Sequence, residues 1–427
     1  MLKPALLAVA SLFFLVSHAT LLAQSSMSAA VVFSEPEFPV ADSTGPSPQF
    51  AATLPGAHLA DADHLSAALA ADSTHLLVLP YGSSFPEDAW PAIKQFLDHG
   101  GNLLVFGGMP FTRAAYRDAG SWHLRDYSVR FIRPLMIDQY QETPGSSGLQ
   151  FQPNPELPLQ LSAFVWKRAF SPVIRLSAVD LYHRGGAAGS IDARLDALAW
   201  GTQSGRKLSA PAIQVDHYRN GFDGGRWIFV NAELTPEFFE NANLMQSLAR
   251  RALQGAEQFT VRPALPLYLP GEPVELQVQW HAAEAPTAPV SLKIATYAET
   301  QPSNRASVTA PALSDETVAL PSPAGKGLYI IEAQITEGDH VRAIYHSAFW
   351  IRDESFLRSG PHLGVNHDYF ELDGHPLAVV GTTYMSSEVQ RLFFDHPNVY
   401  VWNQDLAQIH DAGLNMIRTG WWSGWDK

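Results

Sequence analysis

The sequence predicts a multidomain α/β plus β protein, in which a doubly wound α/β domain precedes a small antiparallel β-sandwich and a second βαβ series. Three observations predict this order. Buried strand patterns flank a helix pattern between residues 75 and 106, period-two alternation dominates residues 274–351, and a helix pattern leads into an apolar strand between residues 403 and 419. A chain of 427 residues is expected to hold two to four domains, and 46% apolar residues are ample for packed cores.

The first 23 residues have the pattern of a secretory signal peptide. A lone Lys3 precedes an apolar run over Ala5–Val16, and small residues follow, among them Ala19. Residues 1–23 are therefore expected to be removed on export, which predicts a secreted or periplasmic protein with no membrane attachment after cleavage. The apolar run is short for a membrane span, so an uncleaved anchor is the less favoured alternative.

Charge and residue content argue against several functional classes. The balance of 28 basic and 42 acidic side chains gives a net charge of −14, which disfavours nucleic acid and anionic membranes as partners. The sequence contains no cysteine, which excludes a disulfide framework and a cysteine nucleophile. The histidines show no metal-ligand spacing, and no nucleophile elbow, P-loop or dinucleotide motif is present. No metal and no cofactor are therefore expected.

Residues 24–255 are predicted to form the first domain. A strand is expected at Ala30–Phe33 and a buried strand at His75–Pro80. Ser84–Glu87 has the pattern of a capping box that opens a helix, and Asn102–Phe106 is the next buried strand. Strand, helix and strand at this spacing predict one βαβ unit of a doubly wound sheet.

The rest of this domain has a less regular pattern. Residues 111–225 are predicted to be long, partly strand-forming insertions, Arg226–Val230 a closing strand, and Pro236–Leu253 a helix. The clusters Trp122-His123 and Asp216-His217-Tyr218 could line a sugar groove, but packing or surface roles are the favoured interpretation.

Residues 257–353 are predicted to form an immunoglobulin-like β-sandwich. Apolar and polar residues alternate there in several runs, and a turn at Leu269–Glu272 precedes the first of them. The runs are Val274–Trp280, Val290–Thr296, Leu328–Ile335 and Val341–Ile351. Repetition of period two at this spacing is typical of a small two-sheet sandwich.

Residues 362–427 are predicted to begin a further βαβ series. Asp373-Gly374 is expected to turn a hairpin, and Leu377–Gly381 to form the next strand. A helix pattern with Asp405 near its amino end stops at Gly413, and Leu414–Thr419 is an apolar strand with a single charge, Arg418.

Parallel sheets bind their ligands at the carboxyl ends of the strands. Polar and aromatic residues gather at the ends of the two predicted strands in this region: Thr382, Thr383, Tyr384, Arg418, Thr419, Trp421 and Trp422. Aromatic rings can pack on the CH faces of sugars, so Tyr384, Trp421 and Trp422 are candidate substrate-binding residues. Arg418 at the end of an apolar strand is expected to pair with a carboxylate.

The two stretches FELDGHPLAVVGTTYM and VWNQDLAQIHDAGLNMIRTGWWSGW resemble the start of the catalytic (β/α)8 TIM barrel of retaining glycoside hydrolases of the cellulase and β-galactosidase clan. The resemblance implies that residues 362–427 are the beginning of such a barrel, which is incomplete here because a whole barrel needs about 250 residues. It also implies that Arg418 orients the nucleophilic glutamate.

In that clan the acid/base and nucleophilic glutamates end the fourth and seventh barrel strands, so both are expected beyond Lys427, and this segment alone is expected to be inactive. The implied reaction is hydrolysis of O-glycosyl bonds by retaining double displacement. The implied substrate is an oligo- or polysaccharide of the β-galactoside or β-glucan class.

The stretch LLVLPYGSSFPEDAWPAIKQFLDHGGNLLVFGG resembles the flavodoxin-like, class I glutamine-amidotransferase-like domain that bacterial β-galactosidases carry as an accessory or trimerisation domain. Active amidotransferases place a cysteine after such a strand, whereas Gly107, Gly108 and Met109 stand there in this chain. Glutaminase chemistry is therefore excluded. The resemblance implies a structural or assembly role, with a homo-oligomer formed through this domain.

A second hypothesis comes from a different functional class. The chain would be a non-catalytic carbohydrate-binding or assembly protein, in which the barrel start over residues 362–427 is a remnant. Under this hypothesis the first two domains fold alone, since two barrel strands cannot close a barrel.

Overall fold

The structure is a computed structural model that describes residues 27–420, apart from residues 144, 160, 178–189, 312–315, 322 and 324. It is a mixed α/β, strand-rich chain that divides into two compact units. The first unit holds the described residues up to 177, Asp192–Glu257 and Ala282–Glu284, and the second holds most of the remainder, including Gln258–His281 and the residues from Ala285 onward. Within the described residues, no helix has the length and apolar character needed to cross a membrane.

The first unit contains fourteen strands and five α-helices among the described residues. In chain order they are β1 (Ala30–Phe33), α1 (Phe50–Thr53), β2 (His58–Ala60), α2 (Leu65–Leu69), β3 (Leu76–Leu79), β4 (Ser84–Pro86), α3 (Trp90–Asp98), β5 (Asn102–Phe106), β6 (Arg113–Asp118), β7 (Ser121–Leu124), β8 (Ile137–Glu142), β9 (Gln150–Pro153), β10 (Trp166–Ile174), β11 (Ala193–Gln203), β12 (Arg206–His217), β13 (Arg226–Val230), β14 (Ala232–Leu234), α4 (Pro236–Glu240) and α5 (Ala242–Leu253), with a 3₁₀ turn at Arg133–Leu135.

An eight-stranded sheet with the order β2-β1-β3-β5-β13-β12-β11-β9 forms the centre of the first unit. The strands from β2 to β13 are parallel, and those from β13 to β9 are antiparallel. Every residue of β3 and β5 is buried. Leu77 and Leu103 join one apolar cluster and Val78 and Leu104 the other, so both faces of the sheet are covered, as expected for parallel strands.

The predicted βαβ unit is confirmed as β3, α3 and β5, with Leu77 opposite Leu103. The predicted capping box is wrong. Residues Ser84–Pro86 form β4 and pair with β6, and α3 begins only at Trp90. Phe85 is fully buried and contacts the rings of Trp90 and Phe111, so burial of this side chain explains the extended backbone.

The insertion over residues 111–225 forms β6 to β12, and β9, β11 and β12 extend the main sheet. The predicted strand Arg226–Val230 is β13. The single helix predicted over Pro236–Leu253 is instead two helices. It breaks at Asn241, whose side-chain oxygen accepts a hydrogen bond of 3.1 Å from the Leu244 backbone and so caps α5.

The second unit contains thirteen strands and two helices among the described residues. They are β15 (Glu257–Pro263), β16 (Leu267–Tyr268), β17 (Val274–Ala282), β18 (Val290–Ala298), β19 (Ala306–Pro311), β20 (Glu316–Leu320), β21 (Gly327–Glu337), β22 (His340–Ile351), α6 (Glu354–Leu357), β23 (Leu363–Val365), β24 (Phe370–Leu372), β25 (His375–Leu377), β26 (Gly381–Thr383), α7 (Val399–Asp411) and β27 (Met416–Arg418).

The predicted period-two runs form two sheets of a sandwich. A three-stranded sheet, β15-β17-β20, and a five-stranded sheet, β16-β22-β21-β18-β19, contribute side chains to one apolar core. Val261 and Leu276 enter this core from the first sheet, and Ile294, Ile331 and Phe349 enter it from the second. The alternation of buried and exposed residues along β17 accounts for the pattern. The immunoglobulin-like assignment of residues 257–353 stays a prediction.

The last part of the second unit contains the predicted hairpin and a βαβ series. Asp373 and Gly374 have φ angles of 50° and 79° and turn β24 into β25. The predicted strand Leu377–Gly381 is displaced, because Leu377 ends the hairpin and the next strand, β26, begins at Gly381. β26 pairs in parallel with β27, and α7 lies between these two strands in the chain.

Helix α7 is longer than the sequence pattern predicts. Asn398 caps its amino end by accepting a hydrogen bond from the Val401 backbone, so Asp405 lies in the middle of the helix and not in its first turn. The predicted stop is confirmed, since Gly413 has a φ of 85° and donates to the His410 carbonyl at 2.8 Å.

Candidate functional site

The parallel pairing of β26 and β27 brings two predicted site residues to one edge of the small sheet. Thr383 and Arg418 are register partners, and the next residue, Tyr384, donates its backbone N–H to the Arg418 carbonyl at 2.8 Å. The carboxyl ends of both strands therefore lie side by side, which is where ligands of parallel sheets bind.

Asn415 fixes this register from the amino ends of the same strands. Its Nδ2 donates to the Ala378 carbonyl at 2.8 Å, and its Oδ1 accepts from the Val380 backbone at 2.9 Å. An asparagine side chain has both a donor and an acceptor, so it can form two hydrogen bonds with a neighbouring segment of backbone. The Asn415 side chain thus aligns the two strands that carry the candidate site.

Tyr384 is buried, and its hydroxyl points away from solvent towards α7. The hydroxyl donates to Asp405 Oδ2 at 3.0 Å, and the ring packs edge-on against Phe393 with centroids 5.4 Å apart. Burial and then the nearby Asp405 charge raise the pKa of Tyr384 above its ordinary value. The hydroxyl therefore serves as a hydrogen-bond donor to the helix. The substrate-binding role of Tyr384 stays a prediction.

Arg418 has an exposed side chain, whereas its strand neighbour Ile417 packs against the buried cluster of Tyr384, Val389 and Phe393. Water can thus reach the guanidinium, and its proposed action on a nucleophilic glutamate stays a prediction. The other two predicted site residues, Trp421 and Trp422, lie outside the described residues, as does the predicted signal peptide over residues 1–23.

The carboxylate of Glu388, four residues after Tyr384, accepts three side-chain hydrogen bonds. Its Oε1 accepts from Arg262 at 2.8 Å and from the Tyr345 hydroxyl at 2.6 Å, and its Oε2 accepts from Asn398 Nδ2 at 3.0 Å. Arg262 and Glu388 keep only 14% and 12% of their side-chain surfaces exposed. Because Arg262 and Tyr345 belong to the sandwich and Asn398 caps α7, Glu388 connects the βαβ series to the sandwich.

No local sequence signal identifies this group, which we term the Glu388 cluster (Arg262, Tyr345, Glu388 and Asn398). Its members are separated by up to 136 positions, so only the tertiary fold brings them together. Only the role of Asn398 has a local signal, because an asparagine directly before the apolar residues of α7 is a typical helix N-cap.

The end of β5, which the sequence analysis compares with an amidotransferase elbow, has no space for a side chain at its two glycines. Gly107 and Gly108 have φ angles of 93° and 62°. A Cβ atom at Gly107 would overlap the side chain of Ser43, and one at Gly108 would overlap Ser83. Ser83 Oγ donates to Asp42 at 2.7 Å, so the loop after β1 fills the position. Any side chain at Gly107 or Gly108 would therefore displace a neighbouring serine, and the absence of glutaminase chemistry stays a prediction.

Asp216 and His217 of the Asp216-His217-Tyr218 cluster are buried, which confirms the packing interpretation for these two residues. Arg226 Nε and Nη2 each donate to Asp216 at 2.7 Å, and the His217 ring centroid lies 4.1 Å from that of Trp227. Burial lowers the pKa of His217 to about 3, so its imidazole is neutral at physiological pH. Within the described residues, no three His, Asp or Glu side chains form a group that could hold a metal ion.

Comparison with known proteins gives weak structural likenesses only. No family model and no curated protein matches the chain. Among solved structures, a β-glucuronidase of Parabacteroides merdae is 14% identical over 38% of this chain and 21% of its own, with a TM-score of 0.20. A cycloisomaltooligosaccharide glucanotransferase of Paenibacillus sp. is 12% identical over 29% of this chain and 15% of its own, with a TM-score of 0.19.

A superoxide reductase of Ignicoccus hospitalis is similar to the same degree, with 11% identity over 22% of this chain and 80% of its own and a TM-score of 0.18. The structural neighbours thus include glycoside hydrolases, and this chain spans about a fifth of the β-glucuronidase. TM-scores near 0.2 do not establish a common fold, so the assignment of function depends on the residues themselves.

Proposed function

We propose that the chain is the amino-terminal part of an exported glycoside hydrolase, in which β26, α7 and β27 open a (β/α)8 barrel. The observation that carries the proposal is the parallel pairing of β26 with β27 through α7, with Thr383 opposite Arg418. This arrangement gathers the candidate residues at the strand ends, where barrel enzymes build their active sites.

Uncovered apolar surface on these elements supports a continuing barrel. Val380 and Met416, just before and within the two strands, are 52% and 45% exposed. Among the described residues, helix α7 fully buries a single side chain, Val399, and its Leu406 is 39% exposed. Helices and strands of a complete barrel cover one another, so later barrel elements would remove this surface from water.

The chemistry that we propose is retaining hydrolysis of a β-galactoside or β-glucan. Two glutamates on later strands would act as nucleophile and acid/base, and Arg418 would hold the nucleophile ionised and oriented. The first unit would act as a non-catalytic accessory domain, because Ser43 and Ser83 fill the elbow at Gly107 and Gly108.

An activity comparison tests this proposal. The longer natural product is expected to hydrolyse aryl β-D-galactosides or aryl β-D-glucosides, and the 427-residue chain is expected not to. In the longer product, Arg418→Lys should lower kcat on the order of 10²-fold, the typical loss for one preorganised donor, with a smaller effect on KM. Hydrolysis by the 427-residue chain would show that its own carboxylates are catalytic and would overturn the proposal.

A further inference from the structure

The loop over residues 34–49, which follows β1, encloses a cavity in addition to filling the elbow. Together with Pro80 and Tyr81 after β3 and Phe50 and Ala51 of α1, it surrounds a volume of about 490 Å³. A volume of this size is within the range of small-molecule sites. We term it the switch-point cavity.

Its position in the sheet is the one where doubly wound folds bind ligands. β1 lies between β2 and β3, so the chain goes from β1 to one neighbour and then crosses to the other. The crevice outside the carboxyl ends of such strands is the topological switch point. The space at the end of β5 is filled by Ser43 and Ser83, whereas the crevice beside β1 and β3 is open.

We propose that the switch-point cavity binds a small, neutral, polyhydroxylated molecule of the size of a monosaccharide. The site goes beyond the proposed hydrolase function, because it lies wholly within the first unit. Four aromatic residues, Phe33, Phe38, Phe50 and Tyr81, line it, and the ring centroids of Phe38 and Tyr81 are 4.9 Å apart. Aromatic walls of this kind pack against the CH faces of sugar rings.

Polar groups on the lining match hydroxyl groups. The Oγ of Ser47 is buried and has no hydrogen-bond partner among the described residues. A buried hydroxyl without a partner is costly. A rotation of the Ser47 side chain about χ1 would turn the Oγ towards the cavity, where a ligand hydroxyl would satisfy it. Glu37 also lines the cavity and has a left-handed φ of 56°, a backbone strain that is characteristic of functional sites. Its carboxylate can accept hydrogen bonds from ligand hydroxyls.

Charge on the lining disfavours anionic ligands. The lining residues include two carboxylates, Glu35 and Glu37, and no Lys, Arg or His. Glu35 already accepts hydrogen bonds from Arg117 at 2.7 Å and from the Ala62 backbone at 2.9 Å. Arg117 thus offsets the charge of Glu35, but a phosphate or carboxylate ligand would still meet the carboxylate of Glu37, whereas a neutral polyol would not be repelled.

Binding to the 427-residue chain tests the proposal directly. Saturation-transfer NMR and calorimetry with D-galactose, D-glucose and myo-inositol are expected to give saturable binding with a Kd of about 1 mM or below for at least one of them. Ala51→Phe places a ring in the cavity and should raise that Kd by about tenfold or more. Ala52→Phe, one position along α1 at an exposed site, is the matched control and should leave it unchanged.

A second variant keeps the test valid if Ala51→Phe unfolds the first unit. Ser47→Ala removes the buried hydroxyl without adding volume and should weaken binding several-fold. The proposal is overturned if none of the three probes binds saturably at about 10 mM, if Ala51→Phe and Ala52→Phe bind equally well, or if inorganic phosphate binds more tightly than the neutral probes.

Discussion

The hydroxyl of Tyr384 donates a hydrogen bond of 3.0 Å to the carboxylate of Asp405 and thereby joins the end of β26 to the middle of α7. The Ser387 backbone donates to the same oxygen, also at 3.0 Å. One carboxylate thus holds both the strand end and the loop that follows it. Because the pKa of Tyr384 is raised, the hydroxyl keeps its proton and remains a donor throughout the physiological pH range.

Tyr384→Phe should weaken the second unit while leaving its fold intact. The substitution removes one hydrogen bond to Asp405, but the carboxylate keeps its bond from Ser387, so the expected loss is about 1 kcal/mol in the free energy of unfolding. Chemical denaturation followed by fluorescence would measure it. Tyr127→Phe, at an exposed tyrosine, is the control and should change nothing. Equal stability of the two variants would contradict this account of the Tyr384 hydroxyl.

Glu388→Gln should destabilise the second unit more strongly. The change removes the negative charge from a largely buried cluster in which Arg262, Tyr345 and Asn398 all donate to Glu388, and a loss of about 1–3 kcal/mol is expected. Asn398→Ala combined with it should cost less than the sum of the single changes, because the two side chains share a bond.

The control for the Glu388 cluster is an exposed ion pair of the same unit. Glu354 contacts Arg352 at 2.7 Å, but about half of each side chain is in solvent. Glu354→Gln is therefore expected to cost less than about 0.5 kcal/mol. A Glu388→Gln variant as stable as Glu354→Gln would show that the cluster does not stabilise the unit.

The first unit should lose stability as the pH falls below the ordinary range of histidine. Burial holds the folded-state pKa of His217 at about 3, against an ordinary value of 6.5. Between these values the unfolded chain binds a proton that the folded chain does not, so stability decreases as the pH falls, by up to about 1.4 kcal/mol per pH unit. Above about pH 6.5 both states have a neutral ring and the contribution is fully present.

Thermal unfolding between pH 7 and pH 4 would measure this dependence. His217→Leu removes the titrating group and should flatten the curve relative to the unsubstituted protein. His58→Leu, at an exposed histidine of β2, should leave the slope as it was. A slope that is the same with and without His217 would mean that other groups, such as the carboxylates, account for all of it.

The filled elbow predicts an unusual cost for the smallest substitution at Gly107. Gly107→Ala combines an unfavourable left-handed φ with overlap on Ser43, and a loss of about 2–4 kcal/mol is expected. Gly120→Ala has a similar φ of 84° but open space around it, so it should cost about 1 kcal/mol. Ser43→Gly in the Gly107→Ala background should recover part of the difference in unfolding free energy. Equal losses at Gly107 and Gly120 would show that Ser43 does not fill the elbow.

Local patterns in the sequence predicted those elements whose cause is also local. Buried runs gave β1, β5 and β13 with their boundaries, and Asp373-Gly374 gave the hairpin, because a run of apolar residues or a positive φ depends on few neighbours. The predicted helix start at Ser84 was wrong since burial of Phe85 among distant rings outweighed a capping pattern.

Long-range contacts could not be predicted from the sequence, because local patterns do not show which distant side chains meet. Arg418 and Tyr384 were predicted from their places at strand ends, and the structure places them next to each other. The Glu388 cluster and the position of Ser43 against Gly107 depend on side chains that come into contact only in the folded chain. No periodicity or motif in the sequence predicts such contacts.

The mass of the native polypeptide, or the coding sequence beyond the Lys427 codon, tests the central claim most directly. The account predicts a product longer than the 427-residue chain by about 250 residues or more, with glutamates at the ends of two later barrel strands. A native product that ends at Lys427 would contradict it. In that case β26 and β27 would be a remnant, and a binding or assembly role would replace the hydrolase.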